Sequence, residues 1–128
     1  MEAIKSIFRG NFPTSWRIII ELLVHFPPER VANDATTRAA ADDIALTFES
    51  LGYLVFRRIM PLRVTDELVG GIVTGAWQRL RPWVDDCRKS MPAPRLFEWF
   101  NWLADRMEEH REVWKAQGAH EAFATWKP

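Results

Sequence analysis

Ala40, Ile44, Phe48, Leu51, Val55 and Ile59 follow one another at steps of three and four residues, a spacing that stacks them along one side of an α-helix. The same period returns in Leu68, Ile72, Ala76, Trp77, Leu80, Val84, Cys87 and Met91, and again in Leu96, Phe100, Leu103, Met107 and Trp114. Nowhere does the chain alternate apolar and polar residues over the length of a strand. Apolar stripes that each need covering predict an all-α fold, a compact bundle of four or five helices.

Prolines and capping residues set the expected boundaries. A first candidate helix runs from Glu2 to Arg9, and Asn11-Phe12-Pro13 interrupts it. A second starts at Thr14 or Ser15, whose hydroxyls suit a cap, and stops at Pro27-Pro28. Its polar stripe is narrow (Arg17, Glu21, His25), so most of its circumference needs cover. The third starts at Asn33 or Asp34 and reaches Ile59. Thr65 caps the fourth, with Asp66 and Glu67 in its first turn. Pro82 lies inside the fourth and predicts a kink or break there, because proline removes a hydrogen bond and crowds the preceding turn. The fifth runs from Arg95 to about Lys115, with Pro94 in its first turn, and Gly118 ends it. The 128 residues are expected to form one domain: amino-terminal helices over 1–33, a helical core over 34–115 and a tail over 116–128.

Composition narrows the function classes. The 17 basic and 17 acidic residues cancel, whereas dedicated duplex binding needs a basic excess, so no specific nucleic-acid partner is expected. The balance is uneven: residues 52–97 carry 8 basic and 4 acidic side chains, and both flanking segments are acidic. The single cysteine, Cys87, allows no internal disulfide. Glu2 and the lack of an apolar run argue against a secretory leader, and the apolar stretch Trp16 to Phe26 is too short to span a bilayer. These features predict a cytoplasmic protein without a transmembrane segment.

Patterns that carry known chemistry are missing. There is no GxxxxGK[ST], no GxGxxG, no HExxH and no GxSxG, and His25, His110 and His120 are scattered. No cofactor, metal or catalytic residue is therefore predicted. Gly71 and Gly75 lie four apart on the fourth helix and predict a close approach of another helix there. Glu49 follows Phe48 beside the apolar stripe, and Arg79, Arg81 and Arg88 on the next helix offer it an inter-helix ion pair. The 7 tryptophans are unusual for this length, and Trp77, Trp83, Trp99, Trp102 and Trp114 sit on the fourth and fifth helices. Trp102 falls off the apolar stripe and Trp126 lies in the tail, so both suit surface contacts. The candidate binding residues are Trp102, Trp126, Glu49, Trp83 and Arg88.

Phe48-Glu49, Leu51-Gly52, Trp77, Pro82-Trp83 and Arg88, followed by Leu96-Phe97-Glu98-Trp99-Phe100, form a spaced pattern over residues 34–106. The pattern resembles an uncharacterised bacterial family catalogued as a domain of unknown function. The resemblance implies a small helical domain and carries no activity or catalytic assignment.

The expected function is a non-catalytic interaction or regulatory module that meets a protein partner or its own copy through exposed aromatics and the basic middle. One alternative is a ligand-binding protein or enzyme with a pocket near Glu49, Trp77 and Arg88. The other is weak membrane association through residues 1–12, where Ile4, Ile7, Phe8 and Phe12 flank Lys5 and Arg9.

Overall fold

The computed structural model describes residues 10–22 and 27–114, the side chains of 112–114 excepted. These residues form α1 (Phe12–Ile20), α2 (Pro28–Asn33), α3 (Ala35–Phe56), α4 (Leu62–Ser90) and α5 (Glu98–Trp114), with no strand among them. The all-α bundle read from the periodicity is the observed fold. The helix expected at Glu2–Arg9, His25 at the end of the second helix, the Trp114 side chain, Gly118 and the tail with His120 and Trp126 lie outside the described residues.

α3 is the central element, packing on α5 along one side and on α1, α2 and α4 along others. Its start follows directly from Asp34, whose carboxylate accepts the Thr37 N–H at 3.2 Å and also the Thr37 hydroxyl. These bonds hold the Asp34 carboxyl below its usual range. Ala40, Ile44, Phe48, Leu51 and Val55 are buried as the stripe requires, but Ile59 is 63% exposed. The helix ends at Phe56, three residues short of the expectation, in a left-handed turn at Arg58 with φ +61°. There the Arg58 N–H bonds the Val55 carbonyl and the Ile59 N–H bonds the Leu54 carbonyl, both at 3.0 Å, the paired bonds of a Schellman end. Met60 turns inward in place of Ile59.

α1 begins at Phe12, not at Thr14 or Ser15, because Pro13 fits the first turn, where no N–H is needed. Phe12, Ser15 and Ile19 face inward, whereas Ile20 is exposed, so α1 is covered less completely than its apolar circumference suggested. The Arg79 guanidinium reaches from α4 to the Leu22 carbonyl beyond the end of α1, with Nε donating at 2.9 Å. α2 was not anticipated. Pro27-Pro28 stops one helix but also starts another, with Pro28 in its first turn and Val31 fully buried.

α4 starts at Leu62, three residues before the predicted cap, and Thr65 is buried inside it. The Thr65 hydroxyl donates back to the Pro61 carbonyl at 2.8 Å, so it serves its own helix from within. The inward residues of the first half are Thr65, Val69 and Val73, while Leu68 and Met91 are exposed. Leu68-Val69 and Ile72-Val73 are adjacent apolar pairs, so periodicity alone fits two phases, and packing selects the second. The chain stays helical through Pro82, without a break. The Gln78 carbonyl, which loses its partner to the proline, belongs to an exposed residue that water can serve.

The glycine expectation is corrected as well. A Cβ at Gly71 would meet nothing within 4 Å, and one at Gly75 would meet only the Arg79 and Trp16 side chains. The close helix approach is at Gly52, where a Cβ would sit 2.7 Å from the Trp99 carbonyl carbon and nearer still to its oxygen. α5 starts at Glu98 and not at Arg95, because residues 93–97 form tight turns that drive Phe97 inward at φ +55°.

Candidate functional site

The first turn of any α-helix presents N–H groups without intrahelical partners, and a Ser, Thr, Asp or Asn at the cap position usually accepts them. In α5 the cap position is Phe97, which has no acceptor on its side chain. The acceptor comes from α3. Glu49 Oε1 takes the Trp99 N–H and the Phe100 N–H, each at 2.8 Å, which are the two donors a local cap would satisfy. Burial pushes the Glu49 carboxyl above its usual value. The two backbone donors and the Arg88 charge pull the other way without cancelling it, and Glu98 adds to the rise.

The spaced sequence pattern converges on this helix start. Phe48 and Trp77 close around the Phe100 ring, at centroid distances of 5.5 and 5.0 Å. Gly52 lets the Trp99 backbone lie directly on α3. Trp83 is buried against Phe97 at 6.1 Å, and is therefore part of the interior. Arg88 donates through Nε to the Leu96 carbonyl at 2.8 Å, and its side chain reaches Asn101 and Asp85. The expected Glu49–Arg88 ion pair does not form within 4 Å among the described residues; each group instead holds a different part of the segment from Leu96 to Asn101. The expected partners Arg79 and Arg81 are engaged elsewhere, at the Leu22 carbonyl and at Asp85. The rings of Phe48, Trp77 and Phe100 fill the space between α3, α4 and α5 where a pocket was the alternative expectation.

Above this junction lies an exposed aromatic face. The Trp99 ring is 4.5 Å from Phe56 and 5.8 Å from Tyr53, and Trp102 is 5.7 Å from Phe56 and 6.4 Å from Trp99. Tyr53 is 44% exposed and Phe56 48%, while Trp99 and Trp102 are half-buried. Trp102 joins this cluster but is partly buried against the core, whereas its position off the stripe suggested an exposed ring. Tyr53 and Phe56 were missed, although both fall off the α3 stripe, the one signal that marks them. Arg57 and Arg58 follow Phe56 directly and are exposed.

Other chemistry finds little support. Among the described residues, no group of three or more His, Cys, Asp or Glu is arranged to hold a metal ion. Cys87 is half-buried, and burial together with the charges of Asp86 and Asp42 raises its thiol pKa, which disfavours a reactive thiolate. An open groove of about 450 Å³ lies between α1 and the first half of α3, lined by Asn11, Thr14, Ser15, Thr36 and Asp43 among others. Its lining includes neither Glu49 nor any of the aromatic rings. No helix of the described residues is long and apolar enough to cross a membrane.

Fold and site together define a small helical bundle whose spaced motif is an internal scaffold for the start of α5. Residues 2–107 match the family model described as domain of unknown function DUF4760, and the chain belongs to that family. The match extends through the amino-terminal segment, which the resemblance read from residues 34–106 did not include. Neither curated proteins nor solved structures give a match to this chain.

Proposed function

We propose that this chain is a non-catalytic helical interaction module that docks a protein partner on the aromatic face formed by α3 and α5. The observation that supports the reading is the cluster of Tyr53, Phe56, Trp99 and Trp102, in which two large rings remain nearly half exposed. Large aromatics supply most of the binding energy where proteins meet, and contiguous apolar surface on a monomer is kept small unless it is used. The Glu49 cap is the scaffold of this face, because it fixes the backbone of Trp99. A ligand or enzyme site at Glu49 is not favoured, since one carboxylate oxygen accepts two backbone N–H groups and the rings of Phe48, Trp77 and Phe100 fill the space between the helices. The reading of residues 1–12 as a membrane contact rests on residues mostly outside the described set.

The test is site-specific photo-crosslinking in living cells from position 53 or 56, with exposed Gln78 on α4 as the control position. Discrete adducts from the face and none from position 78 are the expected result. Equal labelling from all three positions removes the basis of the proposal.

A further inference from the structure

The arginines within four residues of Phe56, Trp99 or Trp102 in the chain fall into two groups. Arg95 is paired with Glu98 at 3.0 Å and Arg106 with Glu109 at 2.9 Å, so both are neutralised within their own segment. Arg57 and Arg58 are exposed and have no carboxylate within 4 Å among the described residues. Arg58 also occupies the left-handed position of the Schellman end, φ +61°, where glycine is the ordinary residue. Two exposed arginines with no carboxylate partner among the described residues therefore follow Phe56 directly in the chain, with Ile59 exposed next to them. A guanidinium binds a carboxylate through two parallel hydrogen bonds, and charge at the rim of an interface selects partners of opposite sign.

We infer that the face takes a segment of a partner protein in which an apolar anchor is flanked by one or more carboxylates: the anchor on Phe56, Trp99 and Trp102, the carboxylates on Arg57 and Arg58. This inference rests on the reading of the face as a protein-docking surface and adds the chemistry of what docks there. The same arginines disfavour a basic partner, because an approaching lysine or arginine would meet two uncompensated like charges.

Selection of a random displayed peptide library against the whole purified chain tests it. Counter-selection uses the Phe56→Ser variant, and a parallel selection uses an Arg57→Gln/Arg58→Gly variant, which retains a residue suited to the left-handed turn. The expected outcome is enrichment of peptides with Asp or Glu beside an aromatic or aliphatic anchor. Replacing those acids by amides should weaken the best synthetic peptide by about 10-fold, and the arginine variant should show no such difference. The gap should shrink as salt is raised. Peptides that bind wild type but not Phe56→Ser, with no preference for acids, overturn this inference and leave the docking surface standing. No peptide that separates wild type from Phe56→Ser overturns both. Arginine-dependent binding to phosphatidylcholine vesicles containing phosphatidylglycerol, without peptide selection, assigns the face to a lipid surface and also overturns it.

Discussion

Replacing Glu49 by Ala and by Gln separates a helix cap from a charge. In the Ala variant the Trp99 and Phe100 N–H groups lose their acceptor at the half-buried start of α5. An orphaned buried donor costs about 1–3 kcal/mol, and loss of a whole N-cap about 0.5–2 kcal/mol. Water reaches part of this site, so the two donors together should cost about 2–4 kcal/mol. For a chain of this size that corresponds to a fall in Tm of roughly 10 °C. Gln keeps a carbonyl oxygen at the same place and removes the cost of burying a charge, so Glu49→Gln should lie within about 1 kcal/mol of wild type. The pH dependence supplies an independent readout. Because burial raises the Glu49 carboxyl, the folded chain holds that proton to higher pH than the unfolded chain. Wild type therefore loses stability as pH rises from the usual glutamate range through the raised folded value, and Glu49→Gln lacks this component. Urea unfolding followed by tryptophan fluorescence gives the free energies, and amide exchange at Trp99 and Phe100 gives the site. Glu49→Ala costing less than about 1 kcal/mol, or unchanged protection of those two amides, would show that the carboxylate does not hold the helix.

Further outcomes follow from the same geometry. Arg58→Gly should stabilise the chain by about 0.5–1 kcal/mol in urea unfolding, since relief of the left-handed strain exceeds the added entropy of an unfolded glycine. Gly52→Ala should destabilise it by about 2 kcal/mol or more, because the new methyl overlaps the Trp99 carbonyl, whereas Gly71→Ala, facing open space, should stabilise by up to about 1 kcal/mol. Phe56→Ser should destabilise the chain by only about 1–2 kcal/mol, leaving it folded, and abolish crosslinking from position 53, because the ring is half exposed and packs on Trp99 and Trp102. Arg88→Met should lower protection of amides near the start of α5 while leaving α1 protection intact, as its guanidinium holds the Leu96 carbonyl.

Particular residues show how far the sequence reaches. Phe48, Leu51, Trp77 and Leu80 were legible as interior because helical spacing is a local property and burial follows it. Asp34 was legible as a start because a cap bonds to an N–H three residues on. Ile59 and Leu68 were misplaced for complementary reasons. The first follows an unexpected Schellman turn, and the second belongs to an adjacent apolar pair that fits either phase. Glu49 stood out as a carboxylate beside an apolar stripe, but its partner was unreadable. Its acceptor bonds go to backbone N–H groups 50 and 51 residues away, which carry no side-chain signature at all.

The local chemistry of the chain was thus enough to determine its class: all-helical, with apolar stripes at helical spacing on each long segment. Only the packing of α5 against α3 decided what the spaced motif is for. Phe97 at the cap position cannot satisfy its own helix, so a distant carboxylate must, and Gly52 must be bare for it to come close enough. The same approach brings Trp99 beside Tyr53 and Phe56, creating an aromatic surface from residues that are ordinary when read one helix at a time. Spacing along a chain sets which side of a helix is apolar; which helix covers it, and which rings stay in water, depends on three-dimensional complementarity that no single segment contains.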